Sequence, residues 1–200
     1  MQHEPWVGSN YAVGLDGQKV LIVGFSHWGE LEKDNPMITK EVVSAWARGE
    51  ENVPFCPRIR SYFGDVDPST FWHSVAFANT LPTLVGEADQ RYAEGTKEQR
   101  DAIPDRAYGL IEQLKPDRIF VFSRRAWSLW PHYTGSLQNG ALLVDEGGEF
   151  DAGSYSHEDG EAIAFGFPHP QFTPVEPTKR AVAAALKATV DTLRPTNDHI

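Results

Sequence analysis

The sequence predicts an α/β fold with three layers, in which helices cover both faces of a central, mostly parallel sheet of about four strands. Two observations lead to this prediction. Four short apolar runs have the composition of buried strands, and segments with helical periodicity separate them, so that strand and helix signals alternate. The 200 residues suit a single domain, 1–200, with a core over about 19–193 and no internal repeat.

The four predicted strands are rich in β-branched and aromatic residues, which favour a pleated, buried surface. They are Lys19–Val23, Val75–Asn79, Arg118–Phe122 and Ala162–Phe167. The stretch 146–160 lies between the last two strands. Because it is polar and Gly-rich, it predicts a mobile loop or the end of a hairpin.

The predicted helices carry apolar residues at three- and four-residue spacings, as amphipathic helices do. They are Thr39–Arg48, a helical turn at Pro68–His73, Thr96–Leu114, Ser123–Trp130 and Glu176–Leu193. Pro104 is a point at which the helical signal over 96–114 restarts, because proline lacks the backbone donor that a helix interior needs.

Composition excludes several classes of protein. The single cysteine, Cys56, leaves no intramolecular disulfide and no cysteine-held zinc or iron–sulfur site, which fits a reducing compartment. No apolar run approaches the roughly 20 residues of a membrane helix, so we expect a cytoplasmic protein without a membrane partner. The histidines outside the motifs lack ligand spacing, and no metal is predicted. The formal net charge of −10 argues against broad, charge-driven binding of nucleic acid, but it leaves room for a local basic patch.

The first predicted strand is followed by a turn, Gly24–Glu30, that is dense in polar groups. Glycines within the turn allow the backbone to approach a ligand closely. The candidate groups are the Gly24 backbone, the Phe25 ring, the Ser26 hydroxyl, the His27 imidazole, the Trp28 indole and the Glu30 carboxylate. The Trp28 ring is a candidate for stacking on a base, because it lies inside the polar turn. The structural alternative is a strand-to-loop turn capped by serine.

Polar side chains also follow the other three predicted strands. Asn79 ends the second strand, where its amide either reads the edge of a base or ties down a turn. His169 follows the fourth strand between two prolines, which stiffen the backbone and so aim the imidazole. Arg124 and Arg125 follow the third strand and open a helix, where they either grip phosphate or are ordinary solvated arginines. Because the carboxyl ends of parallel strands lie at one edge of a sheet, we expect the four turns to share one rim.

These motifs resemble the uracil-DNA glycosylase superfamily, over about 19–193. Gly24-Phe25-Ser26-His27-Trp28 stands where the family has G-Q-D-P-Y, G-[IM]-N-P-G or G-E-A-P-G, and His169-Pro170-Gln171 stands where it has a late H-P-S. Phe77-Ala78-Asn79-Thr80 is similar to the family's strand that ends in a base-contacting Asn. The stretch 115–126 is similar to its K-P-x-x-I-x-x-L-G-x-x-A strand and turn.

The resemblance implies that superfamily's fold and a hydrolase that cleaves the N-glycosidic bond of a uracil or modified base flipped out of DNA. It implies that His169 donates to a base carbonyl, that Asn79 reads the base edge, and that 25–27 form the pocket wall and the water site. Arg124, Arg125 and Gln171 are then the groups that contact DNA. Hydrolysis needs only water and electrostatic stabilisation, so no cofactor is expected.

Departures from the family pattern leave alternatives open. Ser26 stands where the family has Asp or Asn, and because a hydroxyl is a poor general base, Glu30 or His27 would have to activate the water. The substrate is then alternatively another modified base, a free nucleoside or a nucleotide. A second interpretation is a nucleotide- or nucleic-acid-binding protein without catalysis on the same fold. A third is a serine hydrolase with Ser26 as nucleophile and His169 as its base, although the sequence lacks G-x-S-x-G.

Overall fold

The structure is a computed structural model that describes residues 1–50, 53–64, 66–86, 94–144 and 148–195. Within these ranges one mixed sheet contains eight strands. They are β1 Trp6–Val7, β2 Val20–Gly24, β3 Val75–Asn79, β4 Arg118–Phe122, β5 Gly140–Val144, β6 Gly148–His157, β7 Gly160–Phe167 and β8 Arg194–Pro195. Their spatial order is β1-β3-β2-β4-β7-β6-β5-β8.

The four predicted strands form the parallel part of this sheet, and their prediction is confirmed. β2 pairs in parallel with both β3 and β4, and β4 pairs in parallel with β7. All residues of β2 and β3 are buried, as expected for strands that are covered on both faces. The carboxyl ends of these four strands therefore lie at one edge of the sheet.

The prediction of a mostly parallel sheet of about four strands is wrong in extent. β5, β6 and β8 extend the sheet beyond β7 with antiparallel pairing, and β1 adds an antiparallel edge beside β3. Within the predicted mobile loop or hairpin end over 146–160, residues 148–157 form a strand and 157–160 is the end of the β6–β7 hairpin, while 146–147 lie outside the described residues. The buried residues of β6 are Ala152, Gly153, Ser154 and Tyr155, and the Tyr133 ring occupies the space where a Cβ at Gly153 would lie. Such a strand shows no apolar run in the sequence.

Seven α-helices lie in the described ranges. They are α1 Ile38–Ala47, α2 Phe55–Tyr62, α3 Pro68–Ser74, α4 Lys97–Asp101, α5 Ile103–Leu114, α6 Arg124–Ser128 and α7 Val175–Lys187, with 3-10 turns at Leu31–Lys33, Pro170–Phe172 and Val190–Thr192. The predicted helix over 96–114 is two helices, and Pro104 lies in the first turn of α5 as predicted. The last predicted helix ends at Lys187. The sequence pattern does not predict α2, which buries only three side chains and contains a proline.

Helices pack on both faces of the sheet, as predicted. α1, α2, α3 and α7 contribute to one apolar cluster, which includes Ile22 and Phe120. α5 and α6 contribute to a second cluster, which includes Leu21 and Val121. Because neighbouring residues of a strand point to opposite faces, these pairs mark the two sides of β2 and β4. In the described part of the chain, no helix is both long enough and apolar enough to cross a membrane.

Candidate functional site

The carboxyl rim of the parallel strands brings the predicted site residues to one edge of the sheet. Gly24 at the end of β2 is in register with Asn79 at the end of β3. On the other side, Phe122 at the end of β4 is in register with Phe167, two residues before His169. The turns that follow these four strands therefore leave the sheet side by side.

Asn79 is buried and lies directly beside the Gly24 backbone. A Cβ at Gly24 would lie 2.4 Å from the Asn79 Oδ1 and 3.5 Å from the Phe55 Cζ. Glycine is therefore required at this position, because any side chain would displace the Asn79 amide. The amide and the Phe55 ring thus both lie close to the Gly24 backbone at the end of β2.

The turn after β2 is fixed by main-chain hydrogen bonds to the segment after β3. The Gly24 carbonyl accepts from Thr80 N–H (3.0 Å), the Phe25 carbonyl from Leu81 N–H (2.9 Å), and the His27 carbonyl from Val85 N–H (3.2 Å). These bonds continue the pairing of β2 with β3 beyond the strands. The backbone of the turn is therefore rigid before any ligand binds.

His27 packs inward from this turn. Its Nε2 lies 3.0 Å from the Thr39 Oγ1 in the first turn of α1, and its ring centroid lies 5.7 Å from that of His3. Burial, with smaller contributions from His3 and Arg106, lowers the pKa of His27 to about 3. A neutral imidazole of this kind accepts or donates hydrogen bonds, but it is a weak base at neutral pH.

The other polar groups of the turn have separate environments. The Glu30 carboxylate is exposed and pairs with the Lys33 ammonium at 2.6 Å. Phe25 and Ser26 are partly buried, and the Trp28 side chain is 45% exposed at the surface. Within the described residues, no hydrogen bond joins the Ser26 hydroxyl to His169, so the contact that a serine nucleophile needs with its base is not present.

His169 has a defined tautomer. Its Nδ1 accepts a hydrogen bond from the Gln171 backbone N–H at 3.2 Å, so the proton of the neutral ring is on Nε2. Burial lowers the pKa of His169, which favours this neutral form. The ring contacts two phenyl rings, with centroid distances of 5.4 Å to Phe55 and 5.8 Å to Phe172. The Nε2–H is therefore a preorganised donor.

α2 holds the turn that carries His169, and sequence reasoning missed this contribution. Arg58 Nη1 donates to the carbonyls of Pro170 (3.2 Å) and Thr173 (3.1 Å). The Tyr62 hydroxyl lies 3.4 Å from the same Pro170 carbonyl. Phe55, Arg58 and Tyr62 recur at three- and four-residue spacing, which places them on one face of the helix. That spacing is the signal in the sequence that identifies them.

The groups predicted to contact DNA are exposed. Arg124 has no partner within the described ranges, whereas Arg125 Nη2 pairs with the Glu94 carboxylate at 2.8 Å. Both arginines follow Ser123, whose hydroxyl accepts from Ala126 N–H and caps α6. The Gln171 side chain is exposed, and its contact with His169 is through its backbone alone.

A buried polar layer lies behind the rim. Arg106 of α5 donates from Nε to the Asn79 carbonyl (3.0 Å) and from Nη2 to the His3 carbonyl (2.9 Å). The His3 ring, which is also buried, contacts the Asp34 carboxylate through Nε2 at 2.6 Å. Sequence reasoning missed Arg106, although a charged residue on the apolar face of the predicted helix was a signal.

The described ranges contain no group of three His, Cys, Asp or Glu residues that could hold a metal ion. Two surface depressions have volumes of about 300 and about 330 Å³. The first is lined by Tyr108, Ile111, Glu112, Thr134 and Ser156, and the second by Glu4, Pro5, Trp6, Val7, Lys40 and Gln113. None of the predicted site residues lines either depression, and neither lining contains a histidine beside a side-chain amide as the rim does. The rim is therefore the stronger candidate on chemical grounds.

Comparison with known proteins does not assign the site. No protein-family model matches the sequence, and no curated protein is significantly similar to it. The fold and the rim define the class: an α/β protein whose candidate site lies at the carboxyl ends of parallel strands, where such sheets bind ligands.

Proposed function

We propose that this protein belongs to the class of hydrolases that cleave N-glycosidic bonds, and that it is a divergent member of the uracil-DNA glycosylase superfamily. Its substrate is a uracil or modified base turned out of a DNA strand. The base enters the space between Asn79, Phe55 and His169 at the carboxyl rim. Neither a metal nor a cofactor is part of this proposal.

The observation that carries the proposal is the tautomer of His169. The Gln171 N–H occupies Nδ1, so Nε2–H is the donor of a ring whose pKa burial keeps low. When the bond between C1′ of the sugar and the base nitrogen breaks, both bonding electrons stay with the base. A fixed donor stabilises that developing anion without having to reorient, which is where electrostatic catalysis is strongest.

Asn79 and Phe55 supply recognition in this proposal. The buried Asn79 amide offers one donor and one acceptor, which suits the alternating edge of a base. The Phe55 ring is partly buried beside both Gly24 and His169, and it offers an aromatic face to a flat ligand. Reading of the edge and stacking of the face together select a planar heterocycle.

The water that attacks C1′ has weak assistance from the turn after β2. Ser26 does not accept a proton readily, and the low pKa of His27 prevents the imidazole from holding one at neutral pH. We therefore assign Ser26 and His27 to orientation of the water rather than to its deprotonation. The water adds to C1′ after the base has begun to leave, and its proton passes to solvent.

A second function has support from the same turn. Without a strong base near the water site, the pocket is also suited to a nucleotide- or nucleic-acid-binding protein that performs no catalysis. Glu30, the carboxylate of the turn, is engaged by Lys33 at the surface. This alternative predicts retention of a base-containing ligand without turnover.

The test is release of free base from single- and double-stranded oligonucleotides that carry uracil, hypoxanthine, xanthine or a larger modified base. His169→Ala is purified in parallel to exclude a contaminating enzyme. His132→Ala is the matched control, because His132 is an exposed histidine on another surface.

We expect the wild-type protein and His132→Ala to release at least one of the bases, and His169→Ala to release far less. Equal release by all three proteins would contradict the proposal. Binding of the oligonucleotides without release, at enzyme in excess over substrate, would support the non-catalytic alternative instead.

A further inference from the structure

On the side away from β2, no strand in the described part of the chain pairs with β3 at Asn79. β1 has only two residues, and they pair with Phe77 and Ala76, so the edge strand stops before Asn79. Backbone groups of successive residues point to opposite sides of a strand. Because Thr80 N–H donates to Gly24 of β2, the Asn79 carbonyl points to the opposite side, where β1 has ended.

Arg106 fills this gap from α5. Its Nε donates to the Asn79 carbonyl at 3.0 Å, and its Nη2 donates to the His3 carbonyl at 2.9 Å. Nη1 lies 3.3 Å from the Gln2 Oε1. One guanidinium therefore connects the end of β3 to the N-terminal segment, in the position where hydrogen bonds between strands would otherwise lie.

This arginine is unusual in its charge as well as its place. Its side chain is 5% exposed, and no carboxylate pairs with it in the part of the chain that the structure describes. Burial lowers the pKa of Arg106 to about 10, so the group is still a cation at neutral pH. A buried cation that is satisfied by carbonyl groups alone is costly, which points to a role that a neutral residue does not fill.

We propose that Arg106 is a positioning residue, which replaces the missing strand at the end of β3 and so fixes the backbone from which Asn79 presents its amide to the base. The inference rests on the proposed function, because it assumes that Asn79 reads the ligand. Arg106 itself touches no substrate. A side-chain amide on a loosened backbone loses its orientation, and misplacement by about 1 Å costs on the order of 100-fold in rate.

The test uses Arg106→Lys and Arg106→Gln in the full chain, with Arg118→Lys as the matched control. Arg118 is also partly buried and also donates to main-chain carbonyls, those of Ala185 (3.3 Å) and Ala188 (2.7 Å), but it lies at the first residue of β4. That position is the opposite end of the sheet. A general loss of packing therefore affects the control in the same way.

Two measurements are made on each variant that retains a cooperative thermal transition. One is the side-chain amide signal of Asn79 in ¹H–¹⁵N spectra of protein labelled at asparagine. The other is kcat/KM for release of the preferred base and of a second base, which gives their ratio. If Arg106→Gln does not fold, both measurements are made on Arg106→Lys, because lysine keeps the charge and one donor nitrogen.

We expect the Asn79 amide signal to shift or broaden in the Arg106 variants, and the ratio between the two bases to fall at least about tenfold. Arg118→Lys leaves both unchanged. An unchanged amide signal, or a rate loss that is equal for both bases, overturns the inference. If the wild-type protein releases no base, the proposed function fails, while the amide signal still decides whether Arg106 positions Asn79.

Discussion

The turns after β2 and β7 are similar in sequence, but they use their polar groups in different ways. In the turn after β2, main-chain bonds fix the backbone, and the side chains of His27 and Glu30 are engaged with Thr39 and Lys33. In the turn after β7, side chains of α2 fix the backbone, and His169 keeps its Nε2–H as a donor. Each imidazole has one nitrogen engaged, but the partner differs: a buried side-chain hydroxyl holds Nε2 of His27, whereas the backbone of its own turn holds Nδ1 of His169.

The largest effect on activity is expected at His169. His169→Ala removes the single fixed donor at the departing base, and loss of one such donor typically lowers kcat about 100- to 1,000-fold. The measurement is single-turnover release of base at saturating enzyme. His169→Gln, which keeps a donor of similar reach, is expected to fall between the wild type and His169→Ala. Full activity in His169→Ala would show that the turn after β7 does not supply the catalytic donor.

The next largest effect is expected on the free energy of unfolding, and it comes from His27 in the turn after β2. The folded pKa of His27 is about 3, below the unfolded value of 6.5, so stability from this neutral histidine is fully present above about pH 6.5. It is lost as pH falls toward 3, at up to about 1.4 kcal/mol per pH unit, because the unfolded chain takes up the proton first.

The measurement is the free energy of unfolding in urea for the wild type and His27→Gln between pH 7 and pH 5. The wild type is expected to lose about 2 kcal/mol more than the variant over this range, since glutamine does not titrate. Parallel pH dependences in the two proteins would mean that His27 is protonated in the folded state. In that case its role as a neutral group that orients water is wrong.

A smaller effect is expected for Arg58, which supports the turn after β7. Arg58→Gln removes the donor to the Pro170 and Thr173 carbonyls, and the looser turn is expected to lower kcat for base release about tenfold, with little change in KM. Arg60→Gln is the matched control on the same helix, because Arg60 donates to the Val66 carbonyl rather than to the turn. Equal losses in the two variants would assign the effect to α2 as a whole.

The sequence predicts the parallel half of the fold well and the rest of it poorly, for a physical reason. β2, β3, β4 and β7 are buried on both faces, and such strands appear as apolar runs. The buried stretch of β6 contains Gly153 and Ser154, with the Tyr133 ring packed against Gly153, and β1 is too short to show a pattern. Strands whose packing partner supplies the bulk therefore leave little signal in their own sequence.

The same distinction applies to the candidate site. The residues at strand ends, such as Asn79 and His169, are visible in the sequence because a polar group interrupts an apolar run. The residues that hold these strand ends in place are not visible in the same way. Arg58 and Arg106 act from helices that are remote in sequence, and they bond to main-chain carbonyls. Carbonyl groups are present at every residue, so no pattern of side chains marks the one that is used.

The smallest effect is expected for Glu30, the carboxylate that the sequence suggested as a substitute base. Its side chain is 58% exposed and paired with Lys33 three residues later, an arrangement that contributes little to stability and directs the carboxylate to solvent. Glu30→Gln is therefore expected to change base release less than twofold and to leave the thermal midpoint unchanged. The rate is measured at low and high salt, because high salt weakens an exposed ion pair and would free the carboxylate. A large loss of activity in Glu30→Gln would show that the ion pair opens when substrate binds, and that both turns supply chemistry.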